Sequence, residues 1–174
     1  GAPPEFLDFE WQPMPGRDSR PALFFGRFDR AKGIETLLLA LRELGDRAPR
    51  IRFVGRGSYR GALARRRDRL GLTDKIELQG WLEHRGRGRL LTESSPAILP
   101  SHEENFSLAV LSAMAVGTPL IATRVGGTGE VVEHGQNGVL CPPGDVEALR
   151  AAIAQLYDQP ERAADLGPTE TDAG

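Results

Sequence analysis

Two loops in this chain hold charged side chains of types that can grip an anion. The first, Gly26-Arg27-Phe28-Asp29-Arg30-Ala31-Lys32-Gly33, follows an apolar run and leads into a helical pattern. A planar guanidinium at Arg27 and a point-charge ammonium at Lys32, set beside a helix N-terminus, make a clamp for a diphosphate. The plainer alternative pairs them with Asp29 or Glu35 at the surface, where ion pairs contribute little. The second loop, Pro100 to Asn105, carries Glu103 and Glu104 at the turn between the short apolar run Ala97-Ile98-Leu99 and a helix expected from Ser107. Carboxylates there either compensate the positive end of the helix dipole or face a ligand.

Other candidate chemistry is weaker. Gly55-Arg56-Gly57-Ser58-Tyr59-Arg60-Gly61 superficially matches a dinucleotide fingerprint, but its spacing is wrong and it follows the second strand, so NAD binding is discounted. Glu130, after the glycine-rich turn Gly126 to Gly129, either caps a short helix or approaches a ligand. His84, His102 and His134 are widely spaced, and with the single Cys141 they form no zinc pattern, so no metal site is expected. His102 stands nearest Glu104 in sequence and is read as a surface histidine.

The elements that must position these loops alternate. Ala22-Leu23-Phe24-Phe25-Gly26 is continuously apolar, as suits a strand buried on both faces of a parallel sheet. Ile34, Leu37, Leu38, Leu41 and Leu44 recur at helical spacing and stop at Gly45. Ile51 to Val54 is a second strand, and Ser58 is placed to cap a helix running to Leu70. Arg65, Arg66, Arg67 and Arg69 crowd that helix and read as a solvated face. Ile76 to Leu78 is a third strand, and Glu83 to Ser94 is ambiguous because Gly86 and Gly88 weaken a helix. Leu108, Leu111 and Ala115, joined by Val110 and Met114, define the next helix, which stops at Gly117 and Pro119. Leu120 to Thr123 and Val139 to Cys141 are further strands; Asp145 is placed to cap the last clear helix, striped by Val146, Leu149, Ile153 and Leu156. Such alternation implies an α/β fold with a mainly parallel sheet, right-handed crossovers and helices on both faces. Ligands then bind beyond the carboxyl ends of the strands.

Bulk properties exclude some classes. A chain of 174 residues suits a single domain burying about 70% of its unfolded surface. The net charge of -2 argues against a nucleic-acid partner. Lys32 and Lys75 are the only lysines, which we attribute to codon usage in a GC-rich genome. One cysteine excludes an intrachain disulfide and fits a reducing compartment. No apolar run nears the roughly 20 residues of a membrane span, and the amino end lacks a signal-peptide layout, so a cytoplasmic location is expected.

The run from Pro100 to Pro119 resembles the donor-site signature of the retaining, group 1 (family 4) glycosyltransferases of GT-B architecture, written P-S-x-x-E-G-F-G-L-x-x-L-E-A-M-A-x-G-x-P. Glu104, Phe106, Leu108 and Ala113-Met114-Ala115 fall on their counterparts. Gly26-Arg27 and Lys32-Gly33 match the family's G-R-x-x-x-x-K-G element in the family's order. Asn105 and Ser107 replace the two glycines around the phenylalanine. Ser112 stands where the second glutamate belongs, eight positions after Glu104, and a serine is too short to do that residue's work on the nucleotide ribose directly.

The resemblance implies one Rossmann-like half of a GT-B fold, over residues 21–164, with 1–20 a linker or amino-terminal arm and 165–174 a polar tail. It implies that Arg27 and Lys32 stabilise a departing nucleoside diphosphate, that Glu104 holds a hydroxyl of the donor sugar, and that backbone N–H groups near Phe106, Ser107 and Leu108 face sugar or phosphate. Gly26, Asn105 and Ser112 complete the donor-binding set. Arg56, Trp81 and Leu82 are implied to contact the nucleobase, with plain packing an equal reading for Trp81. The substrate implied is a nucleoside-diphosphate sugar, without cofactor or metal. The partner implied is an acceptor-binding domain absent from the chain, through which alone membrane contact would arise, and Gly1 is expected to mark a cut in a larger protein. Ser112 keeps open a non-catalytic nucleotide-sugar-binding or assembly subunit, and a third reading is an interaction domain without ligand.

Overall fold

A computed structural model describes residues 8–14, 19–105 and 107–166. The reading made above for Phe106, and those for the arm at 1–7 and 15–18 and for the tail after Leu166, lie outside these residues.

The apolar runs become strands β1 (Ala22–Arg27), β2 (Ile51–Arg56), β3 (Ile76–Gln79), β4 (Ala97–Leu99), β5 (Leu120–Thr123) and β6 (Val139–Cys141). They form one sheet in the order β3-β2-β1-β4-β5-β6, and every pairing is parallel. Helices α1 (Ile34–Leu44), α2 (Arg60–Arg69), α3 (His84–Thr92), α4 (Leu108–Val116), α5 (Thr128–Val131), α6 (Val146–Asp158) and α7 (Pro160–Asp165) fill the connections. One core lies between the sheet and α1, α2 and α6, centred on Phe24, whose ring stacks on Phe53 at 5.3 Å between centroids. The other face packs Leu23, Phe25 and Val54 against Leu91, Val110, Ala113 and Val116 of α3 and α4. The α/β fold expected from the alternation, and the Rossmann-like form that the resemblance implied, are therefore present, and β1, β4, β5 and β6 carry continuous apolar runs because helices cover both faces.

Local details differ from the sequence reading in three places. Ser58 is not the cap of α2: Tyr59 occupies that position and no side chain caps the helix. The ambiguous stretch after Trp81 is helical through both glycines, because tertiary contact overrides propensity. A Cβ on Gly88 would strike the ring of Phe9, which lies against this face of α3. In α4 the buried residues are Val110, Ser112, Ala113 and Val116, whereas Leu108 is 63% exposed. This helix is apolar almost all round, so periodicity alone cannot say which face turns inward.

Trp11, from the stretch read as an arm, is buried under α3 and α4. Its indole N–H donates to the Ser94 carbonyl (2.9 Å), its backbone N–H donates to Val116 (2.7 Å), and the Arg20 guanidinium lies 4.4 Å from its ring centroid. Asp145 caps α6 as expected, accepting from the Ala148 N–H at 2.9 Å.

Cys141 is buried in β6, and burial, reinforced by the Asp145 carboxylate, pushes its thiol from 9.0 up to about 11. The native state thus holds this proton more tightly than the unfolded chain does. Its contribution to stability is unchanged below pH 9.0 and falls as pH rises from 9.0 to about 11. Native protein at pH 8 is expected to resist thiol alkylation until denaturant is added; rapid stoichiometric labelling without denaturant would contradict the packing of β6.

Candidate functional site

Neighbouring strands β1 and β4 send their connections to opposite faces of the sheet, α1 to one and α4 to the other. At such a switch point a crevice opens beyond the strands' carboxyl ends. The loops after β1 and β4 meet there at unusually short range. Gly33 has φ of 72°, and a Cβ there would overlap the Pro100 carbonyl oxygen. The His102 N–H donates to the Ala31 carbonyl at 2.8 Å, stitching the two loops together. A third loop, after β5, closes in at Gly126 (φ 49°), where a Cβ would overlap the Glu104 carbonyl. The Gly127 N–H donates to the Asn105 carbonyl at 3.3 Å.

The side-chain consequence is direct. Lys32 Nζ donates to Glu104 Oε2 at 2.8 Å, and Ser101 Oγ donates to the same oxygen at 3.2 Å. Ser101 is fixed in turn by Thr123, whose hydroxyl donates to its carbonyl at 2.5 Å. The Lys32 and Glu104 side chains are 25% and 13% exposed, so the pair sits at the wall of a cleft. Glu104 does not serve α4: Ser107 caps that helix, accepting from the Val110 N–H at 3.1 Å, while Glu103 is exposed. Charge compensation of the helix therefore does not account for Glu104.

The pocket between these loops has a volume of about 280 Å³. It gathers Gly26, Arg27, Lys32, Trp81, Glu104, Ser107, Leu108 and Ser112 of the residues selected from sequence. Arg27 is 79% exposed and lies 3.5 Å from Asp29, the surface partner considered above; Glu35 instead pairs with Arg66 and accepts from Tyr59 at 3.4 Å. Ser112 is buried, and its hydroxyl donates to the Leu108 carbonyl at 2.7 Å. Three selected residues do not line the pocket. Arg56 is exposed, its guanidinium 5.5 Å from the Trp81 ring centroid; Leu82 packs against the core that holds Leu90 and Leu91 of α3; Asn105 is exposed and meets the β5 loop through its backbone. Glu130 is exposed in the first turn of α5, and His102 turns away to Thr36, 3.1 Å from its hydroxyl.

Arg87 and Ser101 line the pocket and were missed from sequence. Arg87 lies on α3, the helix that the glycines disguised, and its guanidinium is 4.8 Å from the Trp81 ring centroid. Reading that stretch as a helix would have placed it in the first turn after Trp81 and Leu82. Size does not single this pocket out, since a hollow of about 410 Å³ lies by β2 and β3 among Arg50, Lys75 and Glu77. The chemistry does: one pocket is lined by the cations Arg27, Lys32 and Arg87, a carboxylate fixed by two donors, and an apolar wall of Phe25, Leu99, Leu108 and Ala109.

A parallel sheet in this order, with its crevice beyond β1 and β4, defines one Rossmann-like half of the GT-B glycosyltransferase architecture. The chain belongs to the family of glycosyl transferases group 1, whose model matches residues 10–171. It is 36% identical over 143 residues to the glycogen synthase of Mycobacterium tuberculosis, covering 81% of the chain and 34% of that enzyme. It is 31% identical to the alpha-D-kanosaminyltransferase of Streptomyces kanamyceticus, covering 84% of the chain and 39% of that enzyme. Among solved structures, Anabaena HepE in complex with UDP and glucose superposes with a TM-score of 0.78 at 25% identity, over 87% of this chain and 42% of that one. The carboxyl-terminal domain of the group 1 protein LpcC from Francisella tularensis shares the fold at a TM-score of 0.76 and 19% identity, over 92% of this chain and 91% of that one. The chain thus spans little more than a third of the curated relatives it matches. Among the described residues no helix is long and apolar enough to cross a membrane.

Proposed function

We infer that the chain is the donor-binding domain of a retaining glycosyltransferase, which moves a hexose from a nucleoside-diphosphate sugar to an acceptor held by a separate domain. The observation that carries this reading is the convergence of Arg27, Lys32 and Glu104 on one small pocket, from loops far apart in sequence. Breaking a sugar-phosphate bond builds negative charge on the departing diphosphate. Fixed cations beside it favour the transition state over the ground state. In this reading Arg27 and Lys32 meet that charge, Glu104 holds a sugar hydroxyl, and no metal is assigned a part. Glu104 is the only carboxylate among the pocket's described lining residues, which favours a positioning role for it over the paired-carboxylate displacement of retaining glycosidases. HepE, similar to this chain, is described with UDP and UDP-glucose, which supports a nucleotide sugar as ligand here.

With the acceptor-binding half elsewhere, the chain alone is expected to bind donor weakly and to transfer poorly. A thermal-shift panel of UDP-, GDP- and ADP-sugars tests the reading, because a ligand that binds only the native state raises the midpoint with concentration. Selective stabilisation by one base, reduced in Arg27→Ala, is the expected result; a shift insensitive to substitution of both Arg27 and Lys32 would place binding elsewhere. A second reading, a nucleotide-sugar-binding subunit without transferase activity, is favoured by Ser112, whose hydroxyl is spent on Leu108. Nucleotide binding with no sugar transfer after addition of an acceptor-binding partner would select it.

A further inference from the structure

Building on the donor-binding reading above, we propose that the amino-terminal arm serves the pocket at one remove: Phe9 and Arg20 are positioning residues that hold α3 and so fix Arg87 at the pocket wall. This helix needs outside support. Gly86 and Gly88 stand among its nine residues, and no side chain caps its amino end. The arm grips it at two points. In its middle, the Phe9 ring fills the place beside Gly88 where a Cβ would lie. At its carboxyl end, where helix carbonyls lack intrahelical donors, the Arg20 guanidinium donates to the Thr92 carbonyl at 3.1 Å. Hydroxyls of Ser94 and Thr118 serve the neighbouring carbonyls of Leu90 and Leu91, at 2.6 and 2.7 Å. Arg20 is itself held over the ring of buried Trp11, whose indole N–H donates to the Ser94 carbonyl just past the helix.

Arg87 directly precedes Gly88, so the residue that enters the pocket is next to the one against which the arm packs. A long cationic side chain meets a ligand at low cost only if its backbone is already in place, because ordering it on binding is charged against affinity. An arm that merely added packing would stabilise the chain and leave nucleotide affinity unchanged well below the thermal midpoint. An arm that places Arg87 must change affinity, and must do so through Arg87.

Calorimetry of the chain with UDP, GDP and ADP, well below the midpoint of every variant, separates the two. For the tightest of the three, Arg87→Ala is expected to raise Kd about tenfold, the loss of one charge-assisted contact. Phe9→Ala and Arg20→Ala are each expected to raise it about threefold or more in the otherwise native chain, and by less than about 1.5-fold where Arg87 is already alanine. Equal factors in both backgrounds, native affinity in the arm variants, or native affinity in Arg87→Ala overturn the proposal. Gly88→Ala probes the contact from the other side. Alone, its Cβ displaces the Phe9 ring and weakens binding; combined with Phe9→Ala the Cβ has room and alanine favours the helix, so the double variant is expected to bind more tightly than either single one. A double variant no tighter than the singles also overturns the proposal. If Phe9→Ala does not fold, Arg20→Ala, which trims one half-buried side chain, decides. Should none of the three nucleotides bind the unaltered chain, the donor-binding reading falls and this proposal with it. Binding that the arm variants leave unchanged overturns this proposal only.

Discussion

Arg27→Ala and Lys32→Ala are each expected to lower kcat of the assembled enzyme by about 10²- to 10³-fold, the loss typical of removing one preorganised group from a developing anion. If both cations act mainly on the departing diphosphate, kcat falls more than KM rises; a change confined to KM would mean that they bind the ground state equally well. The double substitution should cost less than the product of the two, since both act on one charge. The variants separate on stability. Arg27 is 79% exposed with one 3.5 Å ion pair, so its removal should change folding free energy by less than about 0.5 kcal/mol. Lys32 is a close partner of Glu104, which is only 13% exposed, so Lys32→Ala leaves a sheltered carboxylate with Ser101 alone and should cost about 1–3 kcal/mol. Near-normal turnover in both single variants would remove the assignment, whatever their stability.

Gly33→Ala is the second substitution with a large expected effect, although residue 33 is not among the pocket's described lining residues. Its φ of 72° already disfavours a side chain, and its Cβ would occupy the place of the Pro100 carbonyl. The loops after β1 and β4 would have to part, for a cost of about 2–4 kcal/mol. For a chain of this size that lowers the thermal midpoint by roughly 5–10 °C. The parting also pulls Lys32 away from Glu104, so nucleotide affinity should fall along with stability. Gly45→Ala, at φ of 56° with open space around the Cβ, serves as the control: it should show backbone strain alone and unaltered binding. Equal binding in both glycine variants would show that close approach of the two loops does not shape the pocket.

Much of the scaffold was legible because β1, β4, β5 and β6 are built on unbroken apolar runs and α1 and α6 carry clear stripes. Burial on two faces leaves the first signature and burial on one face the second. Asp145 was identifiable as a cap from chemistry alone, since a short acidic side chain before a helical stripe has few other uses. The same local logic failed at Ser58, and it failed for α4, whose apolar residues surround the axis. There the sheet decided that Val110, Ala113 and Val116 turn inward and that Leu108 borders the pocket. It failed again at α3, where Gly88 is required by the ring of Phe9, a residue from the start of the chain.

The residues able to handle an anion were set by the sequence: which loops carry Arg27, Lys32 and Glu104, and that each loop follows a strand. Their meeting was not. Lys32 and Glu104 are 72 residues apart, and they touch because β4 takes the place beside β1 and the backbones close to van der Waals range at Gly33 and Gly126. Strand order is a property of how the whole sheet buries its two faces. No window of residues short enough to show a period contains that information, so only the folded chain could say that these charges share one pocket.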